Sequence, residues 1–323
     1  MDILKINQKK YINKHPQFLK EVDKAYKNLK KIKLEKINIK KLKNKKNKKI
    51  YLIDISNNET NCFKIRGAYN EVINNKLINA KYLCAASSGS FGISVALSAK
   101  LLNKKSIIFA PKNLTKKKKL ILKKYDAEIV YSKDYETAKK FAKKNGLKKN
   151  YLFIDGLGKN VLYGNGTYLK ELYQKKISKF KNNKKLAFIV PLGIGSLAVP
   201  VGLYLKHKKI NFDLFVVEPK NYGKFFSNLK NNKISKYKPT LADGAAVKIL
   251  PNRSKVSLMS LVKFVITLNE KEIKKSIQTI NKKKIFNKDV EGAGVLSFGS
   301  YLFGQEHFKK YDCIFIFITG KNK

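Results

Sequence analysis

Three short segments carry residue types that could do chemistry together. The first is Ser87-Ser88-Gly89-Ser90-Phe91-Gly92, which follows an apolar run and opens a helical one. A helix start offers N–H groups without intrahelical acceptors and the positive end of the helix dipole. With the serine hydroxyls as further donors, this loop suits a carboxylate or a phosphate. The same pattern is also an ordinary serine cap with glycines for the turn. The second segment, Gly193-Ile194-Gly195-Ser196, repeats the arrangement before a helix beginning at Leu197. Two anion sites on parallel strands suit a ligand with two anionic ends. A phosphorylated cofactor joined to an amino acid is one such ligand, and a dinucleotide is another. The dinucleotide fingerprint is not met, because Gly89-x-x-Gly92 lacks the full glycine set and Pro111-Lys112-Asn113 supplies no ribose-binding acid. The third segment centres on Lys64, between Phe63 and Ile65 at the start of an apolar helical stretch. A lysine drawn partly out of water gives up its proton more readily, which is what Schiff-base chemistry requires.

The elements that must position these residues alternate. Short apolar runs at 82–86, 106–110, 127–131, 151–154, 186–190, 213–217, 264–267 and 313–318 read as strands. Helical periodicity follows most of them, at about 93–102, up to 124, 135–144, 161–175, 270–282 and 293–303. This order predicts an α/β fold of two domains, each a mostly parallel sheet flanked by helices. Function in such folds collects at loops beyond the carboxyl ends of the strands. Residues 87–92, 193–197, 242–244 and 319–322 fall in that position. Tyr163-Gly164-Asn165-Gly166 reads as a turn interrupting a helix. The first 45 residues are lysine-rich, with helical character around 18–29.

Phe63-Lys64-Ile65-Arg66-Gly67-Ala68-Tyr69-Asn70 resembles the cofactor-lysine segment of threonine dehydratases and serine racemases, which are pyridoxal-phosphate (PLP) enzymes of the tryptophan-synthase-β type (fold type II). The resemblance continues in order. Ala86 to Phe91 resembles the substrate loop, and Val190-Pro191-Leu192-Gly193-Ile194-Gly195-Ser196-Leu197 resembles the loop that cradles the cofactor phosphate. Val217-Glu218-Pro219, Thr240-Leu241-Ala242-Asp243-Gly244, Val290-Glu291-Gly292-Ala293-Gly294 and Thr319-Gly320-Lys321-Asn322 follow at family-like spacing. The match covers roughly residues 50–323, and the Thr240-Leu241-Ala242-Asp243-Gly244 and Val290-Glu291-Gly292-Ala293-Gly294 blocks favour the threonine dehydratase branch over cysteine synthase.

The resemblance implies a PLP site in a cleft between a large domain (46–79 with 156–323) and a small substrate-loop domain (80–155), with 1–45 as an N-terminal extension. Lys64 would carry PLP and remove the substrate's Cα proton. Phe63 would pack near the ring, with Ala242-Asp243-Gly244 along its other side and Glu291 close by. Ser87, Ser88 and Gly89 would grip the substrate carboxylate. Gly193, Ile194, Gly195, Ser196 and Leu197 would bind phosphate, and Thr319 would meet the pyridine nitrogen as a neutral partner. In a racemase, Ser88 would be the proton donor on the opposite face. A homo-oligomer is implied on the same basis.

The chain departs from the family at several of these positions. Ser90 stands where asparagine usually faces the cofactor's phenolic oxygen. Ile194 and Ser196 replace glycines of the phosphate loop, and a β-branched residue resists positive φ. Lys321 replaces a usual glycine. Lys224 lies near the place of a metal-binding acid in serine racemase-like members, so no metal is expected, and Glu218 reads as a structural or capping carboxylate.

Composition narrows the class. The 323 residues are 43% apolar, which suits a globular chain, but Lys+Arg number 71 against 22 Asp+Glu, a net charge of +49. Arginine occurs only at Arg66 and Arg253, although arginine is the preferred reader of guanine edges and phosphates. Lysine, asparagine and isoleucine share A/T-rich codons, so base bias in the genome accounts for the charge, and nucleic-acid binding is expected only nonspecifically. The block at 40–49 reads as a solvated loop. Lys116 to Lys119 open a helix, where cations oppose the dipole, without a functional account. Cys62, Cys84 and Cys313 are scattered, which predicts buried free thiols in a reducing compartment. His15, His207 and His307 read as surface residues. The uncharged run at 186–205 is broken by Pro191, Gly193, Gly195 and Pro200, so a strand, glycine loop and helix fit it better than a membrane span. The N-terminus shows no targeting pattern, and a cytoplasmic protein is expected.

The leading expectation is a threonine ammonia-lyase converting L-threonine to 2-oxobutanoate and ammonia, the entry to isoleucine synthesis. The chain ends shortly after Asn322, so no regulatory domain and no feedback inhibition are expected. A serine racemase, serine dehydratase or β-replacement enzyme is the second reading. A catalytically weakened homologue acting as a binding protein is the third, motivated by Ser90, Ile194 and the net charge.

Overall fold

The computed structural model describes residues 1–11, 16–30, 32, 36–42, 48–75, 79–180, 183–232, 234 and 236–321. It divides into two compact units. One comprises Met1–Lys20, Lys36–Asn57 and Tyr168–Asn322, and the other Glu21–Glu35 and Asn58–Thr167.

The larger unit is built on a seven-stranded sheet. Across it lie β1 (Asp2–Lys5), β10 (Phe264–Leu268), β9 (Phe212–Pro219), β8 (Leu186–Pro191), β11 (Cys313–Ile318), β3 (Lys49–Asp54) and β2 (Asn38–Lys41). The five inner strands are parallel, and only the edges β1 and β2 run antiparallel to their neighbours. Central strands of a parallel sheet are covered on both faces, so they read as unbroken apolar runs. In β11, Cys-Ile-Phe-Ile-Phe-Ile, every residue is buried. Phe315 on one face pairs in register with Tyr51 and Phe188, and stacks on their rings at 5.7 and 4.8 Å. Burying such a side chain contributes about 2–3 kcal/mol, and Phe315→Ala would cost about 3–5 kcal/mol through the cavity left. On the other face Ile314 and Ile316 join Leu52, Ile189, Val217, Ile266 and residues of α11 (Gly292–Phe303) in the main core.

Residues 1–45, read from the sequence as an extension, contribute both edge strands. Lys40 and Lys41 of the block at 40–49 lie in β2 and Lys49 begins β3, so these are strand residues rather than a loop; 43–47 lie outside the described residues. Lysines on an edge strand keep it from pairing with another chain. The helical character near residue 18 is α1 (Phe18–Lys30). His207, read from the sequence as a surface residue, is half-buried. It stacks on Phe18 at 5.9 Å and shares a 3.3 Å hydrogen bond with Tyr11 Oη, and burial holds its imidazole below the usual pKa. His307 is half exposed beside Glu306, and His15 lies outside the described residues.

The smaller unit carries a four-stranded, all-parallel sheet in the order β6 (Ala127–Ser132), β5 (Lys105–Pro111), β4 (Tyr82–Ala86), β7 (Tyr151–Phe153). Its helices include α2 (Lys64–Ile73), α3 (Ser90–Leu101), α4 (Lys116–Lys124) and α5 (Tyr135–Asn145). Thr115 and Asp134 cap α4 and α5 by accepting the N–H groups of Lys118 and Thr137. The turn expected at Tyr163-Gly164-Asn165-Gly166 does not form: α6 runs unbroken over Lys159–Lys175. Gly164 serves packing instead, because a Cβ there would strike the carbonyl oxygen of Arg66 in α2. The three cysteines are buried free thiols. Among the described residues no helix is long and apolar enough to cross a membrane, and the run at 186–205 is β8, a glycine turn and α7 (Ala198–His207).

Candidate active site

Lys64 is delivered by a tightly fixed turn in the smaller unit. Asn58 Oδ1 accepts the Thr60 N–H at 3.0 Å and the Thr60 hydroxyl at 2.7 Å, and Asn58 Nδ2 donates to the Cys62 carbonyl at 3.0 Å. Asn61 takes a left-handed φ of 50°, which asparagine tolerates. Phe63 then caps α2 and Lys64 is its first residue. The half-buried lysine lies with Nζ 4.8 Å from the centre of the Phe63 ring and 3.8 Å from Cys62 Sγ. The rest of the segment clamps α2 in place. Arg66 Nη1 donates to Thr167 Oγ1 at 3.3 Å, Asn70 Nδ2 donates to the Asn160 carbonyl at 2.7 Å, and Glu71 accepts the Val161 N–H at 3.2 Å. A Cβ at Gly67 would lie 2.7 Å from Asn165 Oδ1. Arg66, Gly67 and Asn70 are therefore structural, roles that helical periodicity alone does not reveal.

The serine loop follows β4 in the same unit. Ser87 is buried, and its hydroxyl accepts the N–H groups of Gly89 (3.0 Å) and Gly92 (2.8 Å) while donating to the Gly89 carbonyl at 3.1 Å. It holds the loop's own shape. Ser88 is exposed and Gly89 and Ser90 half-buried, with Gly89 as the cap of α3. Lys118 of α4 adds a cation. Its Nζ lies 3.4 Å from the Ser88 carbonyl oxygen and 3.2 Å from where a Cβ of Gly89 would be.

In the larger unit the other predicted residues gather at the carboxyl ends of β8 and β11. Gly195 takes φ 95°, and a Cβ there would fall on Ser254 Oγ; Ile194 keeps a negative φ, so the isoleucine meets no backbone strain. The hydroxyl of Ser254, in α9 (Asn252–Leu261), donates to the Ile194 carbonyl at 2.6 Å and fixes the turn. Ser196 and Leu197 are buried where the turn enters α7. A Cβ on Gly193 would fit in ordinary van der Waals contact with Val247, Ala245 and the Gly244 carbonyl, the nearest at 3.6 Å. A Cβ on Gly244 would stand 3.9 Å from Glu291 Oε1 and 3.0 Å from Ala293. The Glu291 carboxylate lies over Gly320, and the Glu291 N–H donates to the Gly320 carbonyl at 3.2 Å. Gly193, Gly244, Glu291 and Thr319 thus form one cluster, with Thr319 buried at the end of β11.

Glu218, at the end of β9, accepts the N–H groups of Phe225 (3.0 Å) and Phe226 (2.9 Å) in α8 (Lys224–Leu229). It is a capping carboxylate. Complete burial pushes its pKa up to about 7, against the lowering effect of those N–H groups. The capping box of α10 (Glu270–Lys282), Asn269 with Glu272, serves the helix, and Glu272 Oε1 also accepts the N-terminal ammonium of Met1.

A family model described as pyridoxal-phosphate dependent enzyme matches residues 31–320. The serine racemase of Bos taurus is 26% identical over 251 residues, covering 73% of this chain and 72% of that protein. The L-threonine ammonia-lyase of Thermotoga maritima is 25% identical over 262 residues, covering 78% and 62%. Among solved structures, the processed form of threonine deaminase isoform 2 from Solanum lycopersicum matches with a TM-score of 0.83 at 20% identity, covering 100% of this chain and 94% of that one. Maize serine racemase matches with a TM-score of 0.81 at 22% identity, covering 94% and 93%. These structural likenesses show the fold.

The residues present fit a PLP cofactor. The turn at Gly193, with Gly195 left-handed, leads into the start of α7, where free N–H groups suit an anion, and Thr319 is a buried neutral hydroxyl. Lys64 supplies a half-buried amine at a helix start. The chain belongs to the pyridoxal-phosphate-dependent enzyme family.

Proposed function

We propose that this protein is an amino-acid ammonia-lyase that takes L-threonine to 2-oxobutanoate and ammonia, with L-serine as a second substrate. The clustering of Gly193, Gly244, Glu291 and Thr319 carries this reading, because it joins the segments that resemble the threonine dehydratase branch. PLP, when bound, supplies the electron sink that makes the substrate's Cα–H acidic. The chain's residues do the rest. The backbone N–H groups of residues 193–197 would hold the phosphate. Thr319 would offer the ring nitrogen a neutral partner, with Gly244 and Glu291 as further contacts, and Phe63 would pack near the ring. Lys64 would hold the cofactor through Nζ, would take the substrate's Cα proton, and would pass a proton to the β-hydroxyl so that it leaves as water. The turn at Ser87, Ser88 and Gly89 orients the substrate carboxylate, with Ser90 beside it. Ser87 acts by shaping that turn, since its hydroxyl is engaged inside it.

The relatives named serine racemase support a second reading. Ser88 is exposed while Ser87 is tied up, which leaves Ser88 as the hydroxyl able to deliver a proton to the opposite face of the substrate. Incubating purified protein with PLP and L-serine distinguishes the two. Oxoacid release with recovered serine still L establishes the lyase, whereas D-serine without oxoacid establishes the racemase.

A further inference from the structure

Among the described residues Lys321 is the one buried lysine, 1% exposed. Its ammonium lies 2.7 Å from Asp54 Oδ2, and Asp54 is equally buried. Asp54 ends β3 as the register partner of Ile318, the residue before Thr319. Its Oδ1 accepts the Ser56 N–H at 2.9 Å and the Ser56 hydroxyl at 2.7 Å, whereas Oδ2 has no well-directed hydrogen bond and meets Lys321 charge to charge. Lys321 Nζ also donates to Asn287 Oδ1 at 3.3 Å and stands 5.4 Å from the centre of the Phe286 ring. The backbone is held too. Lys321 bridges to Val290, and Gly320 is wedged beneath the Glu291 carboxylate.

Taking two opposite charges out of water is costly and adds little net stability compared with apolar packing. A device of this kind is better explained by the geometry it imposes. Asp54 lies beside the residue that precedes Thr319, and Lys321 lies two residues beyond it. Drawing Lys321 onto Asp54 therefore fixes the chain on both sides of Thr319.

We propose that the Lys321–Asp54 pair is a positioning device for Thr319, holding its hydroxyl on the cofactor's ring nitrogen. This rests on the cofactor roles proposed above for Lys64 and Thr319. Lys321 takes no part in proton transfer; it acts through the turn.

The test compares the unmodified protein, Lys321→Met, and the neutral pair Asp54→Asn/Lys321→Met, each titrated with PLP. The readouts are the dissociation constant, the pH midpoint of the bound cofactor's absorbance band and the melting of the cofactor-free protein. The expected result is that the neutral pair melts as a folded protein yet binds PLP at least tenfold more weakly, with a shifted band midpoint. Lys321→Met, which strands the Asp54 charge, is expected to be less stable than either, and its failure to fold leaves the neutral pair to decide. A folded neutral pair with unchanged affinity and midpoint would overturn the proposal and make the ion pair purely structural. If the unmodified protein shows no Lys64-dependent band, the cofactor roles themselves fall, and this proposal with them.

Discussion

The Lys118 ammonium reaches the carbonyl oxygen of Ser88 at 3.4 Å, across 30 positions of chain. The cation stands over the loop that the proposed function assigns to the substrate carboxylate. It also gives a place to one member of the run Lys116 to Lys119, whose position at the start of α4 opposes the helix dipole and has no benefit for the helix itself.

Lys118→Met is expected to raise KM for L-threonine about two- to fivefold with kcat unchanged, the effect of losing about 0.5–1 kcal/mol from a partly exposed charge contact. Because such contacts are screened, the difference between variant and parent narrows as salt is raised. Steady-state kinetics at low and high ionic strength check this. A fall in kcat without a change in KM would place Lys118 elsewhere in the mechanism.

Gly195 is the second lever. With φ 95° and Ser254 Oγ where a Cβ would go, Gly195→Ala is expected to cost about 2 kcal/mol of stability and to weaken PLP binding. Adding Ser254→Ala removes the steric conflict but not the backbone strain, so the double variant recovers only part of the loss. Urea unfolding of the cofactor-free proteins, with a PLP titration of each, measures both effects.

Glu218 gives the chain a pH-dependent contribution of defined sign. Its folded pKa of about 7 stands above the ordinary carboxylate value of 4.5. The folded state therefore binds its proton more tightly than the unfolded chain does. The contribution is complete below the unfolded value and is lost as pH rises through about 7, in total on the order of 3 kcal/mol. Glu218→Gln is expected to flatten the fall in unfolding free energy between these pH values. An unchanged slope would mean that the carboxylate stays ionised, held by the α8 N–H groups.

Most of the parallel framework was legible in the sequence because its strands are buried on both faces. Cys-Ile-Phe-Ile-Phe-Ile admits no other arrangement as readily. The edges were not. Asp2–Lys5 and Asn38–Lys41 are four residues each, with lysines that carry no alternation, and only pairing with β10 and β3 makes them strands. Gly164 signals a break locally but is required by the approach of the Arg66 carbonyl, a tertiary constraint. Ile194 resists a positive φ, but in this turn the positive φ falls on Gly195, a placement that residue type alone does not reveal. Of the candidate site, the glycine and serine turns stand out by type and spacing, whereas Lys64 and Phe63 are singled out among so many lysines and aromatics only by the resemblance of their segment. Lys118, Ser254 and the Asp54 partner of Lys321 could not be named, because in so lysine-rich a chain nothing local marks which lysine has a partner.

The most direct measurement is the absorbance spectrum of purified protein with PLP, before and after L-threonine, beside Lys64→Ala. A visible-edge band that needs Lys64, with 2-oxobutanoate released and its rate reduced at least about a hundredfold in Lys64→Ala, is the predicted result. A protein that shows no such band, or one that Lys64→Ala leaves intact, would contradict the assignment of Lys64 as the cofactor-bearing base.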